Sequence, residues 1–282
     1  MLSYRHGYHA GNHGDVLKHW ACVLIANYLG QKSKPYWYID THSAAGVYAL
    51  SSEQSQKTQE YQAGIKTLWE ADAPQVFDDY LEIIRGLNPD GKLSKYPGSP
   101  WFVRQCLRES DKARLFELHP QDFELLLKNF RGDRQVKMAK EDGFNGLKSI
   151  LPPPPKRGLV VIDPPYEQAK EYDLVVKNME QAIKRFATGV YVIWYPLINR
   201  KTKQSLSETM VEKLKGQNVN SYLDVRLWVN GRDEDEGMYG SGLMILNPPW
   251  KLKDQLNEGL PFLVEKLGQT ANAGFSLDFH EH

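Results

Sequence analysis

Short apolar runs recur along the chain, and most stop at an acidic residue or a turn. Tyr36-Trp37-Tyr38-Ile39 ends at Asp40, residues 113–116 end at Glu117, and residues 135–139 lead to Asp142. Residues 159–162 end at Asp163, and residues 189–194 run toward Pro196. Each run has the length of a buried strand. Between them lie stretches with helical spacing, including 13–29, 121–130 and 174–185. Strands alternating with helices predict βαβ units around a parallel sheet. The last two runs, 222–229 and 242–246, are joined only by the polar, acidic loop 230–241. They predict a terminal β-hairpin whose last strand enters antiparallel. The class is therefore α/β, with a Rossmann-like sheet.

The interval from Gly46 to Ala113 is longer than one crossover helix requires. It carries two helical patterns, at about 58–70 (Tyr61, Ile65, Leu68) and 75–85 (Val76, Tyr80, Ile83, Ile84). They predict an inserted helical subdomain at 50–95, with 1–49 and 96–282 forming the main domain. Ligands of open α/β sheets sit beyond the carboxyl ends of the strands. An insertion on that side would shape a substrate groove; a solvated decoration is the alternative.

Composition narrows the class. The 282 residues are 41% hydrophobic and 25% charged, ordinary for a soluble globular chain. With 35 Lys+Arg against 35 Asp+Glu the net charge is zero, which argues against a uniformly basic nucleic-acid coat but permits a local groove. Two cysteines, Cys22 and Cys106, cannot build a disulfide scaffold or a Cys-rich zinc site. No apolar run reaches the roughly 18–20 residues of a membrane span. A cytoplasmic protein with reduced thiols and no membrane partner is expected.

The strongest chemical signal is Asp163-Pro164-Pro165-Tyr166, directly after an apolar strand. An exocyclic amino nitrogen is a poor nucleophile, because its lone pair is delocalised into the ring. The Asp163 carboxylate and the Pro164 carbonyl could accept its two N–H bonds and localise that pair toward an incoming methyl group. The prolines hold the acceptors in place beforehand. Tyr166 could stack on an unstacked base. Asn247-Pro248-Pro249-Trp250 fits the same pattern, but it follows the hairpin strand with no later parallel strand beside it. A strand stop and helix start explain it better.

The strand ends also suggest a cofactor site. Asp40-Thr41-His42-Ser43-Ala44-Ala45-Gly46 is a small-residue turn with a single glycine. Glu117 ends the second strand, where a carboxylate can bond ribose hydroxyls. Asp142-Gly143 follows the third, where an acid can meet an adenine amino group. Each acid alone could be a helix cap. Together with the Asp163 loop they point to S-adenosylmethionine, and no G-x-G-x-x-G or Walker lysine loop supports a dinucleotide or a nucleoside triphosphate. Ser99, with Pro100, is expected to cap a helix and could also face the ligand.

His6, His9, His13 and His19 lie within the first 19 residues, interleaved with Tyr4, Arg5, Tyr8 and Lys18. No Cys or repeated carboxylate supports a metal. Aromatic and cationic side chains suit a splayed RNA segment, with Tyr4 and Lys18 as the substrate candidates; a structural arm is the alternative. Arg85, Lys92 and Lys95 are further candidate phosphate contacts.

Several motifs converge on one family. They are Met1-Leu2-Ser3-Tyr4-Arg5-His6, Gly11-Asn12-His13, Asp15-Val16-Leu17-Lys18-His19, Tyr96-Pro97-Gly98-Ser99-Pro100 and Glu117-Leu118-His119-Pro120. Asp142-Gly143-Phe144, the Asp163 loop, Phe186-Ala187-Thr188-Gly189, Trp194-Tyr195-Pro196 and residues 247–251 complete the set. Across essentially the whole chain the sequence resembles the RlmJ family of 23S ribosomal RNA adenine-N6 methyltransferases. The resemblance implies a Rossmann-like S-adenosylmethionine-dependent methyltransferase fold with an inserted helical subdomain. It implies N6-methylation of one adenine in 23S rRNA, preferably protein-free, by a monomer without an obligate protein partner. It implies cofactor contacts at His19, His42, Ser99, Glu117, Asp142 and Gly143, with Asp163 as the catalytic acceptor. Ala44 stands where the family usually has glycine. Two other functions fit the residues: a DNA adenine-N6 or cytosine-N4 methyltransferase, and a non-enzymatic RNA-binding assembly protein.

Overall fold

An apolar strand covered on both faces reads as an unbroken hydrophobic run, and Gly158–Ile162 is buried at every position. The computed structural model describes residues 4–199, 205–232 and 237–281. Residues 1–3 of the first family motif and 233–236 of the acidic loop lie outside them. In chain order the strands are β1 (Trp37–Asp40), β2 (Val47–Ala49), β3 (Lys95–Pro97), β4 (Lys112–Phe116), β5 (Val136–Ala139), β6 (Gly158–Ile162), β7 (Val190–Asn199), β8 (Ser221–Trp228), β9 (Gly237–Leu246) and β10 (Gly274–Glu281). The helices are α1 (His13–Gly30), α2 (Glu53–Thr58), α3 (Ile65–Trp69), α4 (Asp78–Leu87), α5 (Ser99–Cys106), α6 (Pro120–Asn129), α7 (Gly143–Ile150), α8 (Ala169–Arg185), α9 (Leu206–Lys215) and α10 (Leu252–Leu267).

Eight strands form one sheet in the order β10-β8-β9-β7-β6-β1-β4-β5. β5, β4, β1, β6 and β7 run parallel, while β9 is antiparallel to both β7 and β8. The predicted hairpin is thus present, with its second strand inserted beside β7. β7 continues past Pro196 because β6 pairs only with its first four residues. Among the described residues, β7 has from Trp194 onward a partner on one side only, β9, where a proline is tolerated. β10 was not anticipated from the sequence. It lies at the sheet edge, mostly exposed, and only the alternation Phe275, Leu277, Phe279 hints at it.

Helices cover both faces and make two apolar cores. Trp20, Tyr80, Phe102 and Leu260 belong to one, and Met179, Ile183 and Met210 to the other. α1 is buried on nearly all sides, as expected of a helix clamped between a sheet and other helices. The region between β2 and β3 differs from its predicted helices. The expected helix at 58–70 is broken into α2, a 3-10 turn and α3. Gln59 adopts a left-handed backbone (φ 53°), and Gly64 sits so close to the chain that a Cβ would lie 1.9 Å from the Gly11 carbonyl. Ile65, Leu68, Phe77, Tyr80 and Ile84 of this region are buried in the same core as α1 and α10. Among the described residues, no helix is long and apolar enough to cross a membrane.

Candidate active site and its relatives

The parallel strands deliver their terminal acids to one edge of the sheet, beside a cavity of about 220 Å³. His19, His42, Ser99, Glu117, Asp142 and Gly143 all line it, with Asp163 and Pro164. Glu117 accepts hydrogen bonds from the Ala44 N–H at 2.7 Å and the His119 N–H at 2.6 Å. Burial raises its pKa, the Leu118 backbone adds a further hydrogen bond, and the carboxylate keeps acceptor capacity beyond these. Asp142 caps α7 through Oδ1, which accepts from the Asn145 N–H at 2.9 Å. The cap and a ligand contact are compatible, because Oδ2 takes no bond among the described residues. At Gly143 a Cβ would lie 1.8 Å from the Thr41 carbonyl, so only glycine fits. Ala44 adopts φ 46° without being glycine.

Two histidines border this cavity uncharged. Burial lowers the His42 pKa to about 4 and holds His19 well below its usual value. His19 Nδ1 lies 2.9 Å from the Tyr96 hydroxyl. Ser99 is not the expected cap. Gly98 occupies that position, and the Ser99 hydroxyl instead donates to Asp40 Oδ2 at 2.7 Å. The Tyr38 hydroxyl and the His42 N–H also donate to Asp40, which is wholly buried and fixes the turn after β1.

α1 contributes the centre of the site. Asn12 caps it by accepting from the Asp15 N–H at 2.9 Å. Asp15, Lys18 and His19 then share one helical face. The Lys18 ammonium is 3.0 Å from Asp15 Oδ1 and donates to Asp163 Oδ2. Lys18, expected as an RNA contact, lines both cavities but is 3% exposed and held between two carboxylates. Burial opposes its charge, but Asp163 and Asp15 outweigh that and hold the ammonium above its usual pKa. Asp163 Oδ1 takes no hydrogen bond among the described residues.

A second cavity of about 580 Å³ lies across Asp163, lined also by Pro165, Tyr166, Trp194, Asn12, His9 and Glu60. Tyr166 is not an open stacking face. It is 5% exposed, adopts φ 51°, and donates its hydroxyl to the Trp194 carbonyl at 2.8 Å. It anchors the Asp163 loop to β7. Tyr4 lines both cavities, with its hydroxyl 3.1 Å from His6 Nδ1. His6 pairs with Asp15 at 2.9 Å and His9 with Glu60 at 2.9 Å. Among the described residues no group of three His, Cys, Asp or Glu is arranged to hold a metal. Arg85, Lys92 and Lys95 line neither cavity. Sequence reasoning missed the parts played by Asp15, Asp40, Glu60 and Trp194. Only Asp15 had a local signal, its spacing from Lys18 and His19.

A family model described as "Ribosomal RNA large subunit methyltransferase D, RlmJ" matches residues 33–280. The chain belongs to this family. The Escherichia coli K12 RlmJ protein, ribosomal RNA large subunit methyltransferase J, is 44% identical over 268 residues, covering 95% of this chain and 94% of that one. The Haemophilus influenzae protein of the same name is 43% identical over 281 residues, covering 99% of each. A crystal structure of a Legionella pneumophila protein superposes with a TM-score of 0.88 at 34% identity, covering 96% of this chain and 98% of that one.

Proposed function

We propose that this RlmJ-family chain transfers the methyl group of S-adenosylmethionine to N6 of one adenine in 23S rRNA. The observation that carries the reading is Asp163, which stands in the wall shared by two cavities, with the strand-end acids in the first. That first cavity suits the cofactor. Glu117 offers acceptors to ribose hydroxyls, Asp142 Oδ2 offers one to an amino group, and Phe144 supplies an apolar face. His19 and His42, kept neutral by burial, bring no like charge toward a sulfonium. When bound, the cofactor would supply an electrophilic methyl group, its carbon–sulfur bond breaking to leave a neutral thioether.

The chain's own residues prepare the nucleophile. Lys18 orients Asp163 through Oδ2, leaving Oδ1 for one N6–H. The Pro164 carbonyl takes the other. Both acceptors pull the amino lone pair out of the ring as the nitrogen attacks. The resulting ammonium is acidic, and Asp163 or water takes its proton. The family resemblance supports protein-free 23S rRNA as substrate and a cytoplasmic monomer as the working form.

The test is labelled S-adenosylmethionine with unmodified 23S rRNA, followed by nucleoside analysis. N6-methyladenosine at one site is expected. Asp163→Ala is expected to lose at least about a hundredfold in turnover while cofactor affinity holds. Near-normal turnover in that variant overturns the assignment. Label confined to DNA, or cofactor binding without transfer, would favour one of the two alternative functions.

A further inference from the structure

We propose that His9, held by Glu60, binds a backbone phosphate of the RNA at the mouth of the second cavity. The proposal rests on the methyl-transfer reading, with the target nucleotide entering this cavity across Asp163 from the cofactor. A nucleotide brings its phosphate with it, and that anion requires a donor near the opening. Among the described residues, four cationic or potentially cationic side chains line the cavity: Lys18, His6, His13 and His9. Lys18 is committed to Asp15 and Asp163. His6 is committed to Asp15 at 2.9 Å. Burial lowers the His13 pKa to about 4, so its ring is neutral.

Among these four, His9 alone is both solvent-facing and free at one end. Its side chain is 38% exposed, and Nδ1 lies 2.9 Å from Glu60 Oε1. Nε2 takes no hydrogen bond among the described residues. The ring is stacked on Tyr4, with centroids 5.7 Å apart and planes 13° apart. The other oxygen of Glu60 accepts from Asn12 Nδ2 at 2.9 Å, so the carboxylate is fixed from two sides. Glu60, on the 3-10 turn between α2 and α3, thus orients a histidine from the N-terminal segment. The charged groups acting on His9 are Glu60 and Asp15; the Glu60 hydrogen bond raises its pKa, and partial burial opposes this less strongly. Nε2 is the ring nitrogen that Glu60 leaves unused, and the protonated ring carries an N–H there for the phosphate.

The test measures binding of a single-stranded RNA containing the target adenosine, across a salt series, at pH 7.5 and pH 6. His9→Gln is expected to weaken binding about tenfold at both pH values, the scale of one charge-assisted hydrogen bond. The slope of log affinity against log salt should fall by about 0.7, the signature of one lost phosphate contact on a single strand. Glu60→Gln should show the same loss at pH 7.5 and recover most of it at pH 6, where an unassisted imidazole protonates. Cofactor affinity should be unchanged in both variants, which separates the effect from misfolding. Unchanged RNA affinity in His9→Gln overturns the proposal. So does weakened binding with an unchanged salt slope, which would mean a neutral contact such as a ribose hydroxyl. An equal loss at both pH values in Glu60→Gln would make Glu60 a structural tether and overturn its part. Because binding is read without turnover, failure of the methyl-transfer reading would appear separately, as wild-type protein that binds RNA and transfers nothing.

Discussion

Asp15→Asn removes one charge from the most connected carboxylate in the site. The Asp15 side chain is 1% exposed and accepts from the Gly11 N–H at 2.9 Å. It pairs with His6 at 2.9 Å and Lys18 at 3.0 Å, and lies 3.6 Å from His19 Nε2. Burial opposes ionisation, but His6 and Lys18 outweigh it and hold the carboxyl well below its usual pKa of 3.8. Removing one partner of a buried ion pair costs about 3–5 kcal/mol. Asparagine keeps the volume and the Gly11 bond, and Lys18 retains Asp163. The expected loss is therefore at the lower end, about 3 kcal/mol. With a urea dependence of about 3 kcal/mol per molar, the midpoint should fall by about 1 M. The assay is urea unfolding at pH 7, followed by far-UV circular dichroism. A depressed carboxylate pKa stabilises the fold above the unfolded value, and that contribution disappears as pH falls through the folded one. The gap between wild type and variant should therefore persist down to about pH 5 and narrow below pH 4. A midpoint shift under about 0.3 M at pH 7 would refute the reasoning, because the buried charges would then carry no net interaction.

Other perturbations test separate parts of the site. Glu117→Ala should weaken S-adenosylmethionine binding about tenfold by calorimetry, the scale of a hydrogen bond to a charged group; unchanged affinity would remove Glu117 from the cofactor wall. Ala44→Gly should stabilise the protein by about 0.5–1 kcal/mol, since relief of a left-handed alanine exceeds the entropy glycine adds to the unfolded chain. A lowered melting temperature in that variant would contradict this. His13 and His42, held near pKa 4 by burial, must bind protons on unfolding below about pH 6.5. Stability should thus fall as pH drops from 6.5 toward 4, by up to about 2 kcal/mol per histidine at pH 5. A His42→Asn variant as acid-sensitive as wild type would exclude His42 as a cause.

What was legible in the sequence was local. An apolar run must stop where the chain leaves the sheet, so the acids that end it, Asp40, Glu117 and Asp163, could be placed at one edge before any coordinates. Partners distant along the chain had no such signal. Lys18 meets Asp163 across 145 residues and His9 meets Glu60 across 51, and neither pairing leaves a periodicity. The same limit explains Tyr166. Its motif was readable, but the direction of its ring follows from a left-handed backbone and from the Trp194 carbonyl on a later strand. The break between α2 and α3 was hidden for a related reason. Gly64 is required by the Gly11 carbonyl, a neighbour more than fifty residues earlier that the helical pattern of Tyr61, Ile65 and Leu68 does not report.

The second Pro-Pro-aromatic turn, at Asn247, shows that the chemistry lies in sheet polarity as much as in the four residues. β9 runs antiparallel, with Leu246 opposite Tyr191 near the start of β7. Its terminal turn is therefore delivered to the amino edge of the parallel strands, away from Asp40, Glu117 and Asp163. There Asn247 spends its amide on the Ala187 and Gly189 carbonyls, both at 2.8 Å, and Trp250 stands 71% exposed. Asp163 follows a parallel strand and reaches the carboxyl edge, with one oxygen still uncommitted among the described residues. The same turn thus secures a loop at one edge and can present an acceptor to a reacting nitrogen at the other. An antiparallel hairpin, readable from the short polar connection between β8 and β9, is enough to tell the two apart.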